Sequence, residues 1–192
     1  MSCLFMGVVF AMSPLSDEAH AHSSCPTSGM QFRWSDSTES LISVGPSAAV
    51  PNACTYKNSR TLKEITRVLG VFNVEGTLVK PNLDKFQSLA PPVVGKRMSF
   101  QSAGASNVGS DGTWTHTFSI EKQETLTTPA GTFATFVILW EEKGFGTGGL
   151  WERRFWYVPS IGIVAKFTFK NVRGNPPPSY PKDYELVEVK SR

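Results

Sequence analysis

The sequence predicts a mainly β fold, a single curved antiparallel sheet (half-barrel or open barrel) with one short helix. Three observations predict it. First, Thr113–Lys170 reads as four successive strands, two of which alternate apolar and polar residues, the pattern of strands with one wet face. Second, the turns between strands carry defined chemistry. In Thr128-Pro129-Ala130-Gly131, proline sits where a type I turn holds φ at about −65°, and glycine follows where a Cβ would clash. This is a hairpin turn closed by a glycine bulge. Val158-Pro159-Ser160-Ile161-Gly162 repeats the device. Third, the composition is rich in turn formers and aromatics, with 16 Gly, 13 Pro and 13 Phe, while only 18% of residues are charged.

The 192 residues make one ordinary domain, and a 40% apolar content supplies a sizeable core. Residues 1–21 read as an export signal and 22–192 as the mature β domain. Leu4–Met12 is an apolar run too short to span a bilayer, and Ala19-His20-Ala21 places small residues before a cleavage point. The chain has no Lys or Arg before Arg33. Cleavage after Ala21 leaves Cys25 and Cys54, an even count that in an exported chain suggests a disulfide, the alternative being two buried thiols. It also leaves 19 basic and 14 acidic residues, a net charge of +5. The bases occur as scattered pairs without a basic stripe, which argues against nucleic-acid binding.

Taken in order, Met30–Ser35 alternates as a first strand, and Gly45–Pro51 is a loop leading to Cys54. Thr61–Val74 mixes a helical stripe with β-branched residues and reads as a long strand broken at Gly70. Leu78–Lys80 reads as a short strand. Leu83–Ala90 is the helix, with Pro81 near its start and Pro91-Pro92 after it. Lys96–Ser102 begins the next strand, and Ala103–Gly112 is a Gly/Ser loop.

In the organising region, Trp114, His116, Phe118 and Ile120 share one face. Phe133–Trp140 is apolar on both faces, so both must be covered. Trp151, Arg153, Phe155 and Tyr157 lie on one side of their strand, with Trp156 and Val158 on the other. Gly174–Pro181 is a proline-rich excursion, and Tyr184–Val189 returns as a terminal strand.

Chemistry-bearing motifs are few. Gly144-Phe145-Gly146-Thr147-Gly148-Gly149 has dinucleotide-loop spacing, but β-like sequence follows it and no acid stands about twenty residues on, so it reads as a hairpin loop. There is no CxxC or HxxxH, and no metal or cofactor is expected; His20 and His22 sit at the signal junction. His116 on an apolar face reads as a hydrogen-bonded core residue; a catalytic role needs a nucleophile and an orienting acid, and only Ser110 and Asp111 stand close in sequence. Glu121/Glu124 and Glu141/Glu142 read as solvated strand ends. The aromatic residues carry more interest. Trp114, His116, Phe136, Trp140, Trp151, Trp156 and Tyr157 are the candidate lining of a cavity for a hydrophobic ligand, with core packing as the competing role.

The segments Thr127-Thr128-Pro129-Ala130-Gly131-Thr132-Phe133 and Phe155-Trp156-Tyr157-Val158-Pro159-Ser160-Ile161-Gly162, with the entry Pro91-Pro92-Val93-Val94-Gly95-Lys96, resemble an uncharacterised family of exported bacterial envelope β-proteins. The likeness spans about Pro91–Lys170. It implies a curved antiparallel sheet similar to the half-barrels that carry lipoproteins or lipids through the periplasm, and it implies no catalytic residue. Pro129, Gly131, Pro159 and Gly162 then make turns.

These readings together give a non-catalytic periplasmic or secreted protein without a transmembrane span. It binds a hydrophobic or lipid-like ligand on the concave face of the sheet. The alternatives are an interaction module meeting another envelope protein, and a hydrolase using His116. Helix across Phe133–Trp140, or a cleft in which His116 meets a serine and a carboxylate at bonding distance, would overturn the non-catalytic reading.

Overall fold

The computed structural model describes residues 25–105, 111–145, 148–174 and 182–191. The export-signal reading of 1–21, His20, His22, Ser110, the centre of the glycine-rich loop and most of the proline-rich excursion lie outside them.

The strands are β1 (Gln31–Trp34), β2 (Ser40–Pro46), β3 (Ala53–Asn58), β4 (Glu64–Val68), β5 (Phe72–Asn73), β6 (Arg97–Ala105), β7 (Asp111–Thr128), β8 (Gly131–Gly144), β9 (Leu150–Val158), β10 (Ile163–Arg173) and β11 (Tyr184–Lys190). The helix α1 is Leu83–Ser88. The described strands form one antiparallel sheet in the order β5-β4-β3-β2-β1-β11-β10-β9-β8-β7-β6, open rather than closed into a barrel. The chain therefore lays down two meanders, β1–β5 and β6–β11, joined where the last strand pairs with the first. Phe32 stands opposite Val189 and Arg33 opposite Glu188.

Local chemistry accounts for the boundaries. Gly131 has φ +137° and Gly162 φ +61°, a backbone that side chains with a Cβ rarely adopt, so both proline–glycine turns form where they were expected. Gly70, at φ +65°, breaks the run after β4 and lets β5 turn back on it. Leu78–Lys80 is not the strand its apolar residues suggest. Backbone bonds from Val79 and Lys80 N–H to the Gly76 carbonyl fold it into a turn, and a single 3₁₀ turn at Lys80–Asn82 leads into α1. β2 and β3 are strands where the sequence predicts none, and the loops expected at Gly45–Pro51 and Ala103–Gly112 give Gly45–Pro46 to β2, residues 103–105 to β6 and residues 111–112 to β7.

The sheet curls because it is bulged. Register slips between Arg33 and Trp34, Ser43 and Gly45, Ile120 and Lys122, and Val164 and Lys166, and each extra residue bends its strand and adds twist. Curling brings the β4–β5 turn against the β9–β10 turn, where Tyr56 Oη donates to the Gly162 carbonyl at 2.5 Å. The concave side is filled by α1 and β5. Phe72 and Phe86 pack at 4.7 Å between ring centroids, and both meet Phe118. A second cluster, centred on Phe32, Tyr56, Ile163 and Leu186, takes Leu126 and Phe133 from the far half of the long β7–β8 hairpin. That division explains the two-sided apolarity of β8: Phe136 and Ile138 enter the first cluster and Phe133 the second. A disulfide joins Cys25, ahead of β1, to Cys54 on β3, with S–S 2.07 Å. No helix of the described residues is long and apolar enough to cross a membrane.

Candidate functional site

Cross-strand register sets the first candidate. His116 pairs with Phe100 on β6 and Glu142 on β8, and Glu142 pairs with Trp151 on β9. One register step along, Phe118, Trp140, Arg153 and Phe169 form the neighbouring row. Side chains at opposed positions of adjacent strands point the same way, so both rows share the concave face.

His116, 4% exposed, meets both a serine and a carboxylate. Its Nε2 lies 2.8 Å from Ser102 Oγ, and its Nδ1 lies 3.4 Å from Glu142 Oε1. The residue types and their order match a nucleophile–base–acid triad. Three features of the surroundings set the protons differently. The Trp140 indole N–H, which can only donate, points at Nδ1 from 3.3 Å. That contact favours the tautomer with its proton on Nε2, in which Ser102 Oγ accepts a hydrogen bond instead of giving up its proton. Glu142 is ion-paired to Arg153, so its charge is committed. Finally, burial, reinforced by the nearby Arg153 charge, pulls the imidazole pKa down to about 4. Arg153 is itself held over the Trp140 ring at 4.3 Å and over Phe169 at 5.5 Å, and burial lowers its pKa to about 10.

The aromatic candidates separate into groups. Trp114 and Trp151 stack at 4.5 Å and, with His116 and Trp140, frame one end of the concave face. Phe136 and Tyr157 are buried in the first cluster. Trp156 is on the opposite face of β9, its indole N–H donating to Glu124 at 2.6 Å and Lys166 lying over its ring. Glu142, read from sequence as a solvated strand end, is buried, because the row it joins faces inward. Ser102, Arg153 and the Glu142 connection depend on register across the four strands β6–β9, which no local pattern encodes.

A second candidate lies where the two meanders face one another. A cavity of about 340 Å³ opens between β1–β4 and β9–β11. Its apolar lining comes from Leu41, Ile65, Val71, Phe155 and Val164, its aromatic walls from Trp34 and Tyr184, and its polar lining from Asp36, Glu39, Asn58 and Arg67. Trp34 is fixed by a hydrogen bond from its indole N–H to the Val164 carbonyl at 2.7 Å. It meets Tyr184 edge to face at 6.4 Å. Glu39 is engaged by Arg60 and by Asn58 Nδ2 at 2.5 Å. Burial pushes the Tyr184 hydroxyl up to about 12 and holds the Arg67 guanidinium below its usual range. Arg67 Nε is buried without a hydrogen-bond partner. No sequence motif marked these residues. Among the described residues no cluster of three or more His, Cys, Asp or Glu side chains is placed to hold a metal ion.

No protein-family model matches the sequence. No curated protein matches it. Among solved structures the chain is similar to the hypothetical lipoprotein YmcC of Escherichia coli, at 14% identity and a TM-score of 0.45, over 86% of this chain and 88% of that one. It is also similar to a Bacteroides fragilis protein described as exported and YmcC-like in fold, at 13% identity and a TM-score of 0.40, over 88% of this chain and 99% of that one. At these values the likeness assigns no role to this chain.

Proposed function

We propose that the chain is a non-catalytic exported binding protein whose ligand occupies the cavity between the two meanders. The observation that carries the reading is the cavity itself. The middle of the concave face is filled by Phe72, Phe86 and Phe118, whereas the space between Trp34, Val71 and Tyr184 is open. Its volume of about 340 Å³ falls at the low end of the range for small-ligand sites, roughly 300–1,000 Å³. The Cys25–Cys54 bond supports export, since disulfides persist in oxidising compartments. The envelope, periplasmic or secreted, is the setting this reading takes.

Native mass spectrometry of the mature, disulfide-bonded protein after incubation with envelope lipid extract tests it. Wild type is expected to retain a ligand. Val71→Trp, which fills the cavity from one wall, is expected to release it while keeping the wild-type circular dichroism spectrum. Equal retention by both proteins would move the ligand elsewhere.

The hydrolase reading has one observation in its favour, the alignment of Ser102, His116 and Glu142. Electrostatics weigh against it. A general base works best with a pKa near the operating pH, and the imidazole here is pulled far below neutrality with its acid already paired.

A further inference from the structure

Two guanidiniums are largely withdrawn from water among the described residues, and they are served differently. Arg153 has the Glu142 carboxylate and the Trp140 ring. Arg67 has one long hydrogen bond, from Nη1 to the Gly70 carbonyl at 3.5 Å, and its buried Nε has none. No ion pair reaches it from any described carboxylate. Its titratable neighbours are the tyrosines Tyr56 and Tyr184, neutral at ordinary pH. A buried cation without a counter-ion is costly, and folds that keep one usually provide an anion.

From this we propose that the cavity recognises a small amphipathic carboxylate, its head group on the Arg67 guanidinium and its apolar body against Leu41, Ile65 and Val71. The proposal rests on the cavity-binding reading above and adds the chemistry of the ligand. Carboxylate geometry suits the site because a guanidinium offers parallel N–H donors to two oxygens at once. The lining also limits charge. Asp36 is exposed and belongs to the lining, and Glu39 is already ion-paired to Arg60, so beyond Arg67 the lining supplies no cation for a second negative charge. A ligand with a single negative charge is accommodated; a polyanion meets Asp36. The apolar lining selects against a wholly polar acid such as acetate.

The test is isothermal titration of the mature, disulfide-bonded protein with octanoate, octanol and octylammonium at neutral pH. Octanoate is expected to bind at least about tenfold more tightly than octanol, the effect of a charge-assisted hydrogen-bonded head group, and octylammonium not at all. Arg67→Gln is expected to bring octanoate down to the octanol value and leave octanol unchanged. Should that variant not fold, the wild-type comparison of octanoate with octanol decides alone. Equal affinity for octanoate and octanol overturns the carboxylate assignment and leaves the cavity reading standing. Binding of none of the three, with an extract ligand still retained by wild type and released by Val71→Trp, also overturns the assignment alone. Binding of none, with no extract ligand retained, overturns both.

Discussion

His116 Nε2 lies 2.8 Å from Ser102 Oγ, on strands whose pairing puts both side chains on the concave face. Distance alone does not make this pair a base and a nucleophile. The direction of the hydrogen bond is set by Trp140 behind the ring, and the charge that would stabilise an imidazolium is held by Arg153. The same four groups form instead a polar ladder inside an aromatic wall.

A pH dependence follows from the imidazole. Its folded pKa, about 4, lies below the ordinary 6.5, so between those values the unfolded chain binds a proton that the folded chain does not. Stability from this group is therefore full above pH 6.5, is lost as pH falls toward 4, and changes no further below that. Urea denaturation at pH 7.5 and pH 4.5 is expected to show a loss larger by roughly 2 kcal/mol in wild type than in His116→Gln. Equal losses would mean that His116 does not titrate as a buried neutral group.

The Glu142–Arg153 pair is expected to fail when one member is removed. Glu142→Gln leaves Arg153 desolvated and unpaired, at a cost of about 3 kcal/mol in chemical denaturation. Adding Arg153→Met is expected to recover much of that loss, because the buried charge goes with it. A double variant less stable than Glu142→Gln would show that Arg153 contributes chiefly through its packing on Trp140 and Phe169.

Gly70 is a position where packing and backbone both demand glycine. A Cβ there would lie 2.5 Å from the Gly162 carbonyl oxygen and 2.8 Å from the Ile163 Cα, both backbone atoms, and φ is +65°. Gly70→Ala is expected to destabilise by on the order of 3 kcal/mol and to part the β4–β5 turn from the β9–β10 turn. The Tyr56 hydroxyl, bonded to the same carbonyl, is expected to gain hydrogen exchange in that variant. A change in stability below about 0.5 kcal/mol would show that the two turns are not held in contact.

The Cys25–Cys54 bond spans 29 residues of sequence. Its loop-closure contribution is roughly 3.5 kcal/mol, so the Cys25→Ser/Cys54→Ser variant is expected to unfold at correspondingly lower urea. Free thiols at Cys25 and Cys54 in the unreduced, denatured protein would remove the bond from the description.

Much of the fold was legible because its signals are local. Alternation marked β7 and β10, proline with glycine marked the two tight turns, and Pro81 with Pro91-Pro92 bracketed α1. Leu78–Lys80 misled because three apolar-flanked residues look the same in a strand and in a turn when the Gly76 carbonyl is not in view. The polar ladder was legible only as a lone His116. Ser102 lies fourteen residues before it and Glu142 twenty-six after it, and only register across β6, β7 and β8 brings them together. The cavity was not legible at all, since Trp34, Arg67 and Tyr184 meet only after bulges have curled the two meanders toward each other.

The most direct test of the non-catalytic reading is covalent labelling with a fluorophosphonate, which reports any serine activated by a neighbouring base. Intact-mass spectrometry of the protein at neutral pH is expected to show no adduct on Ser102, indistinguishable from Ser102→Ala. A stoichiometric adduct at Ser102 that disappears in His116→Ala would show a working nucleophile and base, and would contradict the reading outright.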